Sequence, residues 1–163
     1  MLPTPHLRDA RDDDGPVLID IVREVFARYP GCEFHLDELP DLPRFASASA
    51  ERGGRAFVAE IDGQVIGCVA IEPCQNGWEL HRLYVRPAHW GSRVGLALLI
   101  AAEEEAARRG ATSIELWSDV KFERAHRFYE RRGYVRGDPT RELHDRSNTV
   151  EYFFRRGLSS QGA

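Results

Sequence analysis

The sequence predicts a mixed α/β fold, and three observations carry that prediction. Two glycine turns, Asp62-Gly63 and Asn76-Gly77, each fall between apolar runs and mark successive antiparallel hairpins. Beyond them, strand-like and helix-like segments alternate from Trp78 to Phe154, as in a sheet with crossover helices. Near the start, Leu18, Ile21, Val22, Val25, Phe26 and Tyr29 recur at helical spacing on one face.

The elements follow in order. His6 to Ala10 reads as a short first strand. Asp12 to Asp14 offer N-caps and Pro16 suits a first helical turn, so a helix begins there and stops at Pro30-Gly31. Pro40 and Pro43 interrupt Glu33 to Arg52, which reads as irregular or short helical pieces. Ala56–Ile61, Gln64–Pro73 and Trp78–Val85 form a three-stranded antiparallel meander. Gly91 to Arg109 is a helix with Val94, Ala97, Leu98 and Ala101 on its buried side, and Glu104/Arg108 and Glu105/Arg109 at i,i+4. Ser113 to Trp117 is a strand. Phe122, Ala125, Phe128 and Tyr129 then mark a helix closed by Gly133. Tyr134–Arg136 and Thr149–Phe154 are the final strands.

With 163 residues the chain suits one domain, placed at 1–158, with a loose tail at 159–163. Its net charge of −4 argues against a general nucleic-acid binder. No apolar run is long enough to cross a bilayer, and the acidic start resembles neither a secretory nor a transit peptide, so a cytoplasmic location is expected. The three cysteines, Cys32, Cys68 and Cys74, fit neither a disulfide framework nor a metal site, and no metal is expected.

The segment Leu83 to Leu99 carries the chemistry. A strand ends at Val85, Pro87 breaks pairing, Gly91 permits a tight turn, and Gly95 lets the following helix approach its neighbour. The first N–H groups of a helix lack intrahelical partners and sit at the positive end of its dipole, so they bind phosphate. Ser92 can cap or donate, and Arg86 and Arg93 add charge nearby. Neither a P-loop nor a G-x-G-x-x-G fingerprint is present. Residue chemistry alone leaves both a generic anion site and a purely structural turn open.

Leu83, Val85, Pro87, Gly95 and Leu98-Leu99 resemble the cofactor segment of the GNAT superfamily of acetyl-CoA-dependent N-acyltransferases. That segment carries R/Q-x-x-G-x-G/A after a strand ending in L-x-V and a proline. Two positions depart from it: Trp90 stands for Arg or Gln, and Arg93 for the first Gly. A second block, Ala125 to Tyr134, is similar to the family's late N-x-x-A-x-x-F-Y-x-x-x-G-F/Y motif, with Phe122 in place of Asn.

The resemblance implies a mixed, mostly antiparallel sheet, flanked by helices on both faces and splayed at the cofactor site after the Trp78–Val85 strand. Acetyl-CoA is the implied acyl donor. Its pantetheine would pair with the backbone of Leu83, Tyr84 and Val85. Its diphosphate would sit on Gly91, Ser92, Arg93, Val94, Gly95 and Leu96, with Trp90 and Phe122 completing the cofactor set. Position 93 is expected in ordinary helical geometry, since Arg does not adopt a positive φ as cheaply as Gly.

The implied reaction is direct attack of a primary amine on the thioester in a ternary complex. It needs a base for the amine, a donor for the oxyanion and an acid for the thiolate. Glu79, six residues before Val85, is the candidate base; the competing reading is a solvated strand-edge Glu. A carboxylate pKa near 4.3 would need raising by burial to serve well, and replacement by Gln is expected to cost most at low pH, where the amine is already hard to deprotonate. His81, two residues on along the same face, could relay a proton. Tyr129 is the candidate acid; the competing reading is a core aromatic. The backbone near Val85 would hold the oxyanion. Tyr84 is placed on the opposite face from Glu79. His126 and Arg127 are read as solvated. The acceptor is expected to be a small-molecule or peptide amine, and the family prior is a homodimer. Neither nucleic acid nor membrane is expected as a partner. The alternative is a non-catalytic acyl-CoA-binding or regulatory domain.

Overall fold

A computed structural model describes residues 2–159. One seven-stranded sheet runs in the order β1-β2-β3-β4-β5-β7-β6. Its strands are β1 (His6–Asp9), β2 (Arg55–Ile61), β3 (Gln64–Cys74), β4 (Gly77–Val85), β5 (Ser113–Asp119), β6 (Val135–Glu142) and β7 (Val150–Gly157). Only β4 and β5 run parallel; the other neighbours are antiparallel. The mixed, mostly antiparallel sheet is therefore as the sequence predicts.

Four α-helices cover it: α1 (Gly15–Phe26), α2 (Phe45–Glu51), α3 (Val94–Arg108) and α4 (Glu123–Arg132). On one face Val94, Leu98, Leu99 and Ala102 of α3 pack with Val69, Leu80, Ile114 and Phe154 of the sheet, and Tyr129 of α4 joins them. On the other, Leu18, Ile21, Val22 and Val25 of α1 and Phe45 of α2 cover Val58, Cys68 and Ala70. The alternation of β2 and β3 feeds both cores, which is why both strands read as nearly continuous apolar runs.

The hairpin turns form as expected, with Asp62 and Gly63 both at positive φ (51° and 76°), as a tight two-residue turn demands. Several boundaries shift. The first helix ends at Phe26, before Tyr29, whose ring instead packs 4.8 Å from that of Phe122. The third begins at Val94, because Gly91 at φ 82° and a 3-10 turn over Pro87–His89 occupy the residues before it. The last two strands are longer than read. All eight residues of β6, an edge strand, are exposed and so gave little apolar signal. At the expected end of the domain, Leu158 donates its N–H to the Thr112 carbonyl (2.8 Å); of the expected tail, residues 160–163 lie outside the described residues.

The expected i,i+4 pairs on the third helix give way to tertiary ones. Glu105 is buried and binds Arg55 (2.9 Å) as well as Arg108. Glu103, also buried, accepts from Arg132 (2.7 Å), Arg156 (3.0 Å) and the Tyr134 hydroxyl (2.8 Å). The close approach of helix to sheet also lies elsewhere than predicted. A Cβ on Gly95 would make ordinary contact with Phe128 (3.6 Å), whereas one on Gly67 would press on Leu98 Cδ1 and Tyr84 O at 3.0 Å.

Candidate active site

The site is built where β4 and β5 part. They pair at Trp78–Ile114, Glu79–Glu115 and Leu80–Leu116, and then separate. The splay thus opens within β4, after Leu80, rather than at the strand's end. Beyond Leu80 the β5-facing edge of β4 has no strand partner, and it borders a cavity of about 860 Å³. That volume is in the range of small-molecule sites.

A bulge shapes this edge. Cys68 lies opposite Tyr84 and Ala70 opposite His81, so β4 carries one residue more than β3 there. Arg82 takes the strained conformation, φ 55°. Its guanidinium grips Asp41 through two bonds of 3.0 and 2.9 Å; burial pushes the Asp41 carboxyl up, but this pair outweighs it and holds the group below its usual range. The extra residue reverses side-chain parity. Leu80, Leu83 and Val85 all join the α3 core, whereas Tyr84 joins the α1 core. Tyr84 therefore shares a face with Glu79 and His81, contrary to the strict alternation assumed from sequence.

Glu79 and His81 form a close pair, Oε2 to Nε2 at 3.1 Å, and His81 Nε2 also lies 3.5 Å from Glu72 Oε1. Burial pushes the Glu79 carboxyl up to about 7; Glu115, Glu72 and Glu151 push the same way and Arg141 opposes them. Burial, with Arg82 and Arg52, pushes His81 down to about 4. Between these values the pair carries one proton, placed between two heteroatoms that can each hold it.

Across the cleft, Tyr129 stands on α4 with its ring among Phe128, Tyr134 and Phe154, at centroid distances of 5.5, 5.7 and 5.9 Å. It lines the same cavity as Glu79. Burial raises its phenol above the usual tyrosine range, so it keeps its proton at any physiological pH. The two readings made from sequence are thus compatible: Tyr129 packs in the core and still presents to the cleft.

At the other end of the cavity is the turn before α3. The Trp90 indole N–H donates to the Val85 carbonyl (2.8 Å), and Ser92 Oγ donates to the His89 carbonyl. Trp90 thereby ties the turn to the strand, and one of the β4 carbonyls expected to be free is already engaged. Arg93 has φ −89° and ψ 5°, so it avoids a positive φ as expected but stands as the N-cap just outside helical geometry. Among the expected cofactor residues, Leu83, Tyr84, Val85, Trp90, Gly91, Ser92, Gly95 and Phe122 line the cavity. Val94 is buried in the core, and Arg93 and Leu96 are exposed outside the cavity wall, so only their backbones could serve. Arg86 does not offer free charge; it pairs with Glu24 at 2.8 Å.

A roof closes the acceptor end. Arg146 grips Asp37 (2.9 and 2.7 Å), its N–H donates to Glu38, and the Glu33 N–H donates to Ser147 Oγ (2.9 Å). Two segments distant in sequence, 33–38 and 143–149, are thereby joined over the cavity.

Three other readings change or settle. His126 is buried, with Nε2 2.9 Å from the Asp119 carbonyl oxygen and its ring against Tyr152 and Phe154, so it is not solvated. Cys68 is a core thiol donating to the Arg82 carbonyl (3.2 Å), and burial pushes it up to about 12. Cys74, Glu79 and Glu115 bring ligand atoms within 4.8 Å of one another; the Cys74 thiol, pushed up to about 11 by burial, donates to Glu115 (3.4 Å).

A free strand edge thus leads toward the N-terminus of α3, and Glu79 and Tyr129 line the cavity beside it. Residues 19–134 match the acetyltransferase (GNAT) family, and the chain belongs to that family and is an acyltransferase. It is 33% identical over 137 residues to an uncharacterized N-acetyltransferase of Archaeoglobus fulgidus, covering 76% of this chain and 88% of that one. It is 29% identical over 140 residues to the aminoalkylphosphonate N-acetyltransferase of Salmonella typhimurium, covering 82% and 87%. A shorter match, 35% over 88 residues to an uncharacterized N-acetyltransferase of Methanocaldococcus jannaschii, spans 48% of this chain and 38% of that one. Among solved structures, a GNAT-family acetyltransferase from Staphylococcus aureus superposes with a TM-score of 0.83 at 17% identity, covering 96% of this chain and all of that one. The PaiA N-acetyltransferase of Thermoplasma acidophilum, solved in complex with coenzyme A, gives 0.69 at 20% identity, covering 91% and 98%. No helix among the described residues is long and apolar enough to cross a membrane.

Proposed function

We propose that this protein transfers an acetyl group from acetyl-CoA to a primary amine by direct attack in a ternary complex. The observation that carries the reading is that Glu79 and Tyr129 line one cavity, which opens where β4 loses its partner. The cleft suits the donor: an unpaired strand edge for the amides of a pantetheine arm, and first-turn N–H groups of α3 for a diphosphate. The thioester supplies an activated acetyl carbonyl and a sulfur leaving group.

The protein's residues do the rest. Glu79, ionised above about pH 7, takes the proton of the attacking amine, with the neutral His81 imidazole 3.1 Å away as its hydrogen-bonding neighbour. The β4 backbone between Leu83 and Val85 faces the reacting carbonyl and can stabilise its developing negative charge. Tyr129 delivers a proton to the departing sulfur. The roofed acceptor end, lined by Glu33, Glu38, Asp145 and Glu151, suits an amine that arrives as a cation.

Titration calorimetry with acetyl-CoA, followed by CoA-thiol release over an amine panel, tests the reading. Binding with turnover on at least one amine is expected. Binding without turnover on any amine would favour a non-catalytic acyl-CoA-binding domain. No binding would overturn both.

A further inference from the structure

We propose that Arg124, in the first turn of α4, is a ligand of the donor's diphosphate and supplies the charge that the turn's own arginines do not. The inference rests on the acyl-CoA reading above. Of the two arginines expected to serve there, Arg86 is committed to Glu24 and Arg93 lies outside the cavity wall. The first-turn amides of α3 then carry only partial charge, while a diphosphate brings about two negative charges.

Arg124 is placed to make up the difference. Its Nη2 lies 3.6 Å from where a Cβ on Gly91 would stand, so the guanidinium sits over the turn whose Gly91 and Ser92 line the cavity. It is held there by the Trp90 ring, with its Cζ 5.3 Å from the ring centroid. Arg124 has no carboxylate partner among the described residues and lines the cavity. A guanidinium stacked on an indole has lost much of its rotamer freedom before a ligand arrives, which lowers the cost of fixing it on a phosphate. Trp90 thus has two functions: its N–H fixes the turn to Val85, and its face aims Arg124. Arg127, one turn on, also lines the cavity and is exposed, but its guanidinium has no such platform, so it serves as the control.

The test measures dissociation constants by calorimetry for CoA, dephospho-CoA and pantetheine, on the wild type and on Arg124→Gln, Arg124→Lys and Arg127→Gln. Arg124 is exposed, so these variants keep the fold. Arg124→Gln is expected to weaken CoA and dephospho-CoA alike, by about tenfold or more, the scale of a charge-assisted hydrogen bond. Pantetheine binding should not change, Arg124→Lys should recover part of the loss, and the wild type should lose CoA affinity with added salt more steeply than Arg124→Gln. An unchanged CoA constant in Arg124→Gln overturns the proposal. So does a parallel loss with pantetheine, which would mark a structural role, or a loss confined to CoA and absent with dephospho-CoA, which would place the contact on the 3′-phosphate. An Arg127→Gln loss as large as that of Arg124→Gln would leave no special role for the stacked guanidinium and overturns it too. A wild type that binds none of the three fails the acyl-CoA reading itself.

Discussion

Replacing Glu79 by Gln should damage catalysis and stabilise the fold, and the two effects should share one pH dependence. The side chain is mostly buried, and its carboxyl is pushed up to about 7 by that burial first and by neighbouring carboxylates second. A raised acid pKa means that the folded state holds the proton more tightly than the unfolded chain. The wild type therefore has its full stability below the unfolded value of about 4.3 and loses some as pH rises through about 7. Each pH unit between the two values is worth about 1.4 kcal/mol, and water in the open cleft screens part of it, so about 1–3 kcal/mol is expected. Glu79→Gln, which cannot ionise, should be more stable than the wild type by that amount at pH 8 and nearly equal to it at pH 4. Urea denaturation at the two pH values measures this. In the same buffers turnover should fall by about two to four orders of magnitude at pH 8, the scale for loss of a general base. The rate difference should shrink below pH 7, where the wild-type carboxyl is already protonated. This reverses the low-pH sensitivity expected of an ordinary Glu, and burial is the reason. A variant with equal stability at pH 8 would refute the buried-charge argument. Unchanged turnover at pH 8 would refute the base.

Tyr129→Phe removes only the hydroxyl, so turnover should drop by about one to three orders of magnitude while acetyl-CoA affinity, read by calorimetry, stays near wild type; an unchanged rate places the acid elsewhere. Arg82→Lys keeps the charge but cannot grip Asp41 through two bonds. It should raise the KM for the amine severalfold with CoA affinity kept, and a change in Tm alone would deny Arg82 a part in shaping the cleft. Glu103→Ala strands Arg132, Arg156 and the Tyr134 hydroxyl around an empty carboxylate site. It should cost about 3–5 kcal/mol, visible as a fall in Tm of about 10 °C, and a fall of only a degree or two would mean the network relaxes.

The sequence by itself determined the elements and their order. Asp62-Gly63 imposes a hairpin because both residues accept the required positive φ, the second hairpin turns at Gln75-Asn76 with Gly77 at φ 136° opening β4, and the stripes at Leu18–Val25 and Phe122–Tyr129 impose helices because burial rewards one face. Tyr129 and Glu79 were named as candidates from local position, one within the late motif and one six residues before Val85, and both line the cavity. Tertiary structure decided what depends on meetings across the chain. The bulge at Arg82 exists because Asp41, 41 residues away, binds the guanidinium, and it turned Tyr84 to the face of Glu79. His126 became a core residue because Tyr152 and Phe154 enclose it, and exposed β6 was shortened in the reading because an edge strand has no apolar face to announce it. Arg124 was overlooked although Arg124, Arg127 and Arg131 recur at helical spacing along the cavity, since a charge stripe does not say which phosphate it faces. The pKa of Glu79 was the largest matter left to the fold. Local spacing can name a carboxylate, but only the surrounding volume, by excluding water and gathering like charges, determines the pH at which it acts as a base.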